Sequence, residues 1–376
     1  MTSKDTKIEF LYLSEEDLIK SGVLEMNTCV ETMDKMFGII GDGDYLMGGP
    51  KENEHGIMLW FPEEKRFENM PVAGPDRRFM SLISYLGGDF NIVGEKWYGS
   101  NISNKDKGLP RSILTVTLSD VDTGQPLAFM SGNLISAMRT GAVPGVATRY
   151  LAHEDAKVLA VVGTGVINKA CVQAVLYAKQ NIETIKVFDI DPKRSQAFID
   201  GLQDDVKTEL EVSYSMEACI RDADIVSVAT SGAKRPEIKD EWVKDGCLIT
   251  LTGTAKLSEN FYKENTIVAD NWEMHEAWYR DALERPNGME SITSWAPTGD
   301  ILKMIHDGNL KDKVFHNLGD IVLGGDDFRK CEKEKIVFVT GGLSTEDTAW
   351  AYHVYKNALK NSIGQKLKLW DQPYWA

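Results

Sequence analysis

The chain is predicted to be an α/β protein, with a doubly wound parallel sheet and a second, β-rich α+β region. Three observations predict this. From Lys157 to about Val268, short apolar strands alternate with helical stretches, the sign of a parallel sheet covered on both faces. Within that stretch, the strand Val158–Val162 runs into Gly163-Thr164-Gly165-Val166-Ile167-Asn168, then a helix, then a strand that ends at Asp189. Ahead of it, residues 57–130 are rich in β-branched and aromatic residues. At 376 residues the chain suits two domains, each large enough to bury a core.

Taken in order, residues 9–13 (Phe-Leu-Tyr-Leu-Ser) read as a strand. Ser14 then caps an acidic first turn, Glu15-Glu16-Asp17, ahead of a short helix. A longer helix spans about Met26 to Ile40 and is broken at Gly41-Asp42-Gly43-Asp44, read as a solvated turn. Strands are expected at 57–61, 79–86 and 112–118, and Asp122-Thr123-Gly124-Gln125-Pro126 turns into the apolar 127–130. In the parallel-sheet region the strands are 158–162, 185–188, 225–229, 248–251 and 266–268. Residues 271–300 hold several Trp, Met and Pro residues without clear periodicity and read as an irregular excursion. A final helix covers 345–359.

The stretch 158–189 carries the chemistry. A first glycine makes a tight turn, a second lets backbone approach a pyrophosphate, and the helix N-terminus offers unbonded N–H groups to that anion. Gly163, Thr164, Gly165, Val166 and Ile167 are therefore candidate cofactor contacts in a Rossmann-type unit. Asn168 stands where a third glycine is usual, so the alternative is an ordinary strand-to-helix turn. Asp189, about 26 residues past Gly163, suits ribose hydroxyls and repels a 2′-phosphate, which favours NAD. Lys193 and Arg194 nearby leave NADP open.

Composition excludes other classes. There are 42 basic against 57 acidic residues, net −15, with no basic block. That argues against nucleic acid and anionic membranes as partners. The five cysteines are scattered without Cys-x-x-Cys spacing, and the six histidines form no ligand pair, so no metal site is expected. No signal-like or membrane-spanning run is seen, and the expected location is cytoplasmic.

With these segments in place, the chain resembles the ornithine cyclodeaminase/mu-crystallin family from about Phe10 to Leu367. The words that carry the resemblance begin with Gly94-Glu95-Lys96, Gly108-Leu109-Pro110, the 122–128 turn and Arg139-Thr140-Gly141-Ala142. They continue through Gly163-Thr164-Gly165, Ala223-Asp224-Ile225-Val226 leading to Thr230-Ser231, and Gly342-Leu343-Ser344-Thr345-Glu346-Asp347. The resemblance implies a homodimer with a discontinuous substrate and dimerisation domain, residues 1–140 plus 345–376, and an inserted dinucleotide-binding domain, 141–344. It implies that Lys96 and Arg139 face the substrate, that Thr140 and the 163–166 turn touch the cofactor, and that Thr230 and Ser231 border the adenosine. Arg139 as a planar fork suits a carboxylate. Lys96, in a semi-closed cationic site, would have a lowered pKa and exchange protons with an amine or imine nitrogen. The plain alternatives are a domain-boundary salt bridge for Arg139 and a solvated strand-end charge for Lys96.

Two departures shape the functional expectation. Ala255 falls where cyclodeaminases carry an aspartate, so the carboxylate that would handle the amine and the attacking water is absent. Pro50-Lys51 stands where many members have an arginine after proline, so Lys51 gives a point charge at the substrate, not a fork. The leading expectation is an NAD(P)-dependent oxidoreductase acting at the C–N carbon of an amino acid, cyclic imine or related amine. The alternatives are a cyclodeaminase-type lyase using catalytic NAD, with Glu346 or Asp347 taking over the missing carboxylate's role, and a non-catalytic, mu-crystallin-like cofactor- or ligand-binding protein.

Overall fold

The computed structural model describes residues 6–203, 206–230, 234–285, 287–325, 328–329 and 331–375. In chain order the first elements are β1 (Ile8–Leu13), α1 (Glu15–Lys20), α2 (Met26–Gly41), β2 (Tyr45–Met47), β3 (Ile57–Trp60), β4 (Arg78–Leu86) and β5 (Ile92–Ser100). Next come β6 (Ser112–Ser119), β7 (Pro126–Ser131), α3 (Asn133–Leu151), β8 (Val158–Val162), α4 (Val166–Ala178), β9 (Thr184–Phe188), α5 (Pro192–Asp200) and β10 (Glu209–Val212). Then follow α6 (Met216–Ile220), β11 (Ile225–Val228), β12 (Leu248–Leu251), α7 (Glu259–Glu264) and β13 (Thr266–Ala269). The rest are α8 (Trp272–Leu283), α9 (Gly288–Trp295), α10 (Gly299–His306), β14 (Phe315–Asn317), α11 (Leu318–Val322), β15 (Ile336–Val339), α12 (Ser344–Lys360) and β16 (Gln365–Trp370).

The chain divides into two compact units, residues 1–25, 44–136 and 344–376, and residues 26–43 and 137–343. The first holds a sheet ordered β16-β1-β7-β6-β5-β4-β2, with β3 also on β4. Its pairs are antiparallel except β1 with β7. Alternation sets its two faces. Met80, Leu82, Ser84 and Leu86 of β4 are buried, with Leu114, Val116 and Leu118 of β6, while α12 packs on β4, β5 and β6. Phe79, Ile83, Trp97, Ile113 and Phe129 point the other way and stay exposed. At Gly94 an added Cβ would lie 2.2 Å from Thr348 Oγ1, so only glycine lets α12 sit this close to β5.

The second unit is the parallel sheet. Its order among the described residues is β10-β9-β8-β11-β12-β15-β13-β14, and every pairing is parallel. The central strands β11, β12 and β15 are buried along their whole length and β8 from its second residue on, as a sheet covered on both faces demands. Strand order reverses between β8 and β11, where the chain first builds outward through β9 and β10 and then returns to the other side of β8.

Three features differ from expectation. Residues 271–300 are not irregular: α8 and α9 lie within them and α10 begins at their end, and their aromatic residues hid the helical period by facing one another, as Trp278 does with His275 and Trp295. Past the expected final helix, residues 365–370 add an unpredicted strand, β16, on β1. Helix α2, expected with the β-rich part, groups with the parallel-sheet unit because it packs on α4 and α11. There Gly41 and Gly319 meet backbone to backbone, with an added Cβ on Gly41 only 2.6 Å from Gly319 O.

Candidate functional site

In the parallel-sheet unit the expected cofactor residues converge. Gly163 follows β8 at φ +94°, and a Cβ there would lie 2.8 Å from Ala229 O and 2.9 Å from Thr230 Cγ2, just past β11. Gly163 and Thr230 thus sit side by side at the carboxyl ends of the two strands where strand order reverses, the crevice in which open α/β sheets bind ligands. Gly165 caps α4 without a side-chain hydrogen bond, and a Cβ added there would meet nothing within 4 Å. The helix therefore presents its first N–H groups across open space, which fits a pyrophosphate. Val166 beside it is exposed and Ile167 half-buried.

Asp189 follows β9, next to β8. Its Oδ2 accepts the Thr164 N–H at 3.1 Å and hydroxyl at 2.7 Å, and its Oδ1 accepts the Asp191 N–H at 3.2 Å. Burial would push this carboxyl up, but those bonds and the charge of Arg194 outweigh it and hold it below the usual carboxylate range. Thr164 is thereby a brace for Asp189 as much as part of the turn. Asn168, the departure from the usual third glycine, is wholly buried. Its Nδ2 donates to Val162 O (2.9 Å) and Gly163 O (2.6 Å), and its Oδ1 accepts from Ser227 Oγ at 2.7 Å. An amide there ties the turn to β11, and no glycine could do that. The sequence marked the position only as an irregularity. Ser231 lies outside the described residues.

Arg139 and Thr140 lie on α3, where two glycines set their place. Added Cβ atoms on Gly141 and Gly145 would lie 2.3 Å from Ala170 Cβ and 2.6 Å from Ala174 Cβ. The helices α3 and α4 thus pack nearly backbone to backbone with rising numbers matched, which brings Arg139 and Thr140 level with the first turn of α4. Arg139 is 5% exposed, and a Cβ on Gly342 would lie 2.7 Å from its Nη1. Thr140 is half-buried.

In the β-rich unit, Lys96 is not a solvated charge. It is 4% exposed, and its Nζ lies 2.5 Å from Asp347 Oδ2, itself 2% exposed. The immediate partner of this lysine is thus a carboxylate, where cationic surroundings were expected. The contact depends on the close approach of α12 that Gly94 permits. Ser84 Oγ lies 2.8 Å from Thr348 Oγ1, and Ser344 Oγ donates to Ile83 O at 3.1 Å, fixing the same helix start. The pairing of Lys96 with Asp347 was not legible, since 251 residues separate them. Lys51 is exposed in the turn after β2, away from any burial.

Ala255 is 2% exposed and belongs to the apolar core with Leu251, Leu257 and Phe261. A methyl is what that position packs. Of the cysteines only Cys331 is exposed, and burial pushes the thiols of Cys171, Cys219 and Cys247 up to about 12. Among the described residues, no group of three or more His, Cys, Asp or Glu is placed to hold a metal. None of their helices is long and apolar enough to cross a membrane.

A parallel sheet with an open helix N-terminus, a glycine turn and an acidic strand end at its switch point defines a dinucleotide-binding class of protein. The chain belongs to the ornithine cyclodeaminase/mu-crystallin family, whose model matches residues 23–362. It is similar to the N-((2S)-2-amino-2-carboxyethyl)-L-glutamate dehydrogenase of Staphylococcus aureus, with 27% identity over 96% of this chain and 99% of that one. A Delta(1)-pyrroline-2-carboxylate reductase of Bacillus cereus is 30% identical over 80% of this chain and 87% of the relative. Among solved structures, the Delta(1)-pyrroline-2-carboxylate reductase of Thermococcus litoralis with NADH and L-proline superposes with a TM-score of 0.75. It is 26% identical and covers 95% of this chain and 99% of that one.

Proposed function

We propose that this protein is an NAD-dependent oxidoreductase that reduces the C=N bond of an α-imino acid, linear or cyclic, or oxidises the matching amino acid. The observation that carries the reading is the convergence of Gly163, Gly165, Asp189 and Thr230 at the switch point. The same chain keeps a buried arginine and a buried lysine–aspartate pair, which a cofactor-binding scaffold does not need. The names of the relatives, a reductase of a cyclic imino acid and a dehydrogenase of an amino acid, support the same class.

Bound NADH supplies the hydride. The chain's own groups do the rest. Thr140 and residues 163–167 would hold the cofactor's phosphates, Asp189 its ribose and Thr230 its adenosine side. Arg139 binds the substrate carboxylate through two parallel N–H bonds. Lys96 Nζ gives a proton to the nitrogen as the carbon is reduced, and Asp347 stabilises the ammonium that must be present beforehand. Lys51 adds a point charge for the anionic substrate from its exposed turn. Cyclisation of ornithine with loss of ammonia is disfavoured, because Ala255 offers a packed methyl where a carboxylate is needed.

The exposed face of the β-rich sheet is proposed to pair with a second copy of the chain. Tyr12 and Phe129 stack at 6.5 Å and Phe79 and Trp97 lie at 5.8 Å, within a patch that a lone soluble unit would not leave open. Buried thiols without disulfides suit a cytoplasmic location. A spectrophotometric screen of NADH and NADPH against cyclic imino acids, and against 2-oxo acids with ammonia or amines, tests the reading. Consumption of NADH with a carboxylate-bearing imine supports it; no consumption with any imine, despite tight NADH binding, leaves the binding-protein reading in its place.

A further inference from the structure

Asp270 stands at the end of β13, fully buried, and makes an unusual number of bonds. Its Oδ2 accepts the Thr340 hydroxyl at 3.1 Å and the N–H groups of Gly341 at 2.7 Å and Gly342 at 3.0 Å. Its Oδ1 accepts the Asn271 N–H at 2.8 Å and lies 2.8 Å from His275 Nε2. The other ring nitrogen of His275, also fully buried, lies 3.0 Å from Thr298 Oγ1. Nothing in the proposed chemistry uses either residue. One carboxylate thus pins three consecutive residues of the loop after β15, and the histidine ties that carboxylate to the start of α10.

The pinned loop has a definite neighbour. Gly342 is at φ +82°, and its α-carbon backs directly on the Arg139 guanidinium, 2.7 Å from an added Cβ to Nη1. Gly341 is packed equally closely from the other side. A Cβ there would lie 2.2 Å from Met274 Cε and 2.7 Å from Trp278 Cη2. Helix α8 therefore presses on one glycine while the next supports the arginine. Burial would push the Asp270 carboxyl up, but the charge and hydrogen bond of His275 and the backbone N–H groups hold it below the usual range, so it stays ionised as an acceptor.

We propose that Asp270 and His275 are positioning residues for Arg139: they lock the Thr340–Gly342 loop as a backstop that holds the guanidinium in one orientation for a substrate carboxylate. The Trp- and Met-rich segment 271–300 then has a task, which is to brace that loop. A two-armed contact tolerates little angular error, so a loose backstop costs substrate binding before it costs fold. The inference rests on the carboxylate-binding role proposed for Arg139.

The test uses the full-length protein with Asp270→Asn, Gly342→Ala and Arg139→Ala. Phenylglyoxal labelling, read by mass spectrometry, reports the exposure of Arg139 without needing a substrate, with Arg235 (paired with Asp300 in the same unit) as internal control. Both Asp270→Asn and Gly342→Ala are expected to raise the labelling rate of Arg139 about tenfold, leaving Arg235 labelling and the NADH dissociation constant within about twofold. With the imino acid from the NADH screen, KM should rise at least tenfold with kcat within a few-fold. Asp270→Asn should add no further loss on an Arg139→Ala background, since coupled residues are not additive. Gly342→Ala leaves every Asp270 partner in place and decides the matter if Asp270→Asn folds poorly. Unchanged Arg139 labelling in the variants, or fully additive losses, would overturn the proposal. If Arg139→Ala turns over normally while labelling responds as expected, the positioning stands and the carboxylate role of Arg139 is what fails.

Discussion

At the scale of single residues, the Lys96–Asp347 pair makes the sharpest claim. Both groups are almost wholly buried, so removing one takes from the other its buried counter-charge, at a cost of about 3–5 kcal/mol. Loss of activity in Lys96→Met alone would therefore be ambiguous between chemistry and stability. The double variant Lys96→Met/Asp347→Leu removes both charges and should recover most of the lost unfolding free energy. It should still be slower than the native protein by about 10²–10⁴-fold, the usual worth of a positioned proton donor. Denaturant melts and NADH-coupled rates on the same samples check it. A double variant that regains both stability and turnover makes the pair a structural ion pair only. Lys96 itself was singled out only by its place in the word Gly94-Glu95-Lys96 that carries the family resemblance. Its partner was not, since register within a sheet says nothing about which distant helix covers it. Asn168 and Asp270 were opaque for a related reason: each acts through bonds to backbone that only the folded loops create.

At the scale of elements, five strands of the parallel sheet, β8, β9, β11, β12 and β13, were legible as short apolar, largely β-branched runs, and the glycine turn announced its first crossover, whereas β10, β14 and the central β15 were not predicted. The helices of 271–300 were missed because Trp, Met and His packed on one another mask a period of 3.6. Strand ends are joined by half-buried or buried carboxylates, and this has a pH consequence. Asp224 Oδ2 accepts the N–H groups of Lys157 and Val158 at 2.8 Å each, tying the start of β8 to the start of β11, and Lys244 pairs with Oδ1. Burial raises this carboxyl, but Lys244 and the two backbone bonds outweigh it and leave it lowered. Asp189 and Asp270 are lowered as well. A group whose folded pKa lies below the unfolded ~3.9 adds stability that is complete above that value and is lost as pH falls through the folded one. The melting temperature should thus be flat with respect to these groups above about pH 5 and drop steeply below about pH 4. Asp224→Asn should cost about 1–3 kcal/mol at pH 7, the worth of hydrogen bonds to a charged group, and the gap to the native protein should narrow near pH 3. A constant gap from pH 7 to 3 would mean that the Asp224 charge contributes nothing.

At the scale of the whole molecule, the two-part organisation and the dinucleotide-binding sheet were readable from the order of patterns alone. The exact division was not, since α2 joins its unit through contacts with α4 and α11 that come more than a hundred residues later. The open apolar face of the β-rich sheet sets a further expectation. If a second copy covers it, light scattering should give about twice the chain mass of 42.0 kDa. Trp97→Glu with Phe129→Glu, placing charges on that face, should shift the protein toward single chains with its circular dichroism unchanged. A native protein that is a single chain at micromolar concentration would remove the second copy as the occupant.

The reaction itself is tested most directly by stoichiometry. The protein is incubated with Δ1-pyrroline-2-carboxylate and NADH, and in parallel with ornithine and a catalytic amount of NAD, following NADH, proline and ammonia in both. The account predicts NADH consumed in a one-to-one ratio with amino acid formed from the imine, and no useful conversion of ornithine, because Ala255 cannot act as a carboxylate. Rapid proline and ammonia formation from ornithine with no net change in NADH would contradict it, and would assign the carboxylate's work to Asp347 or Glu346.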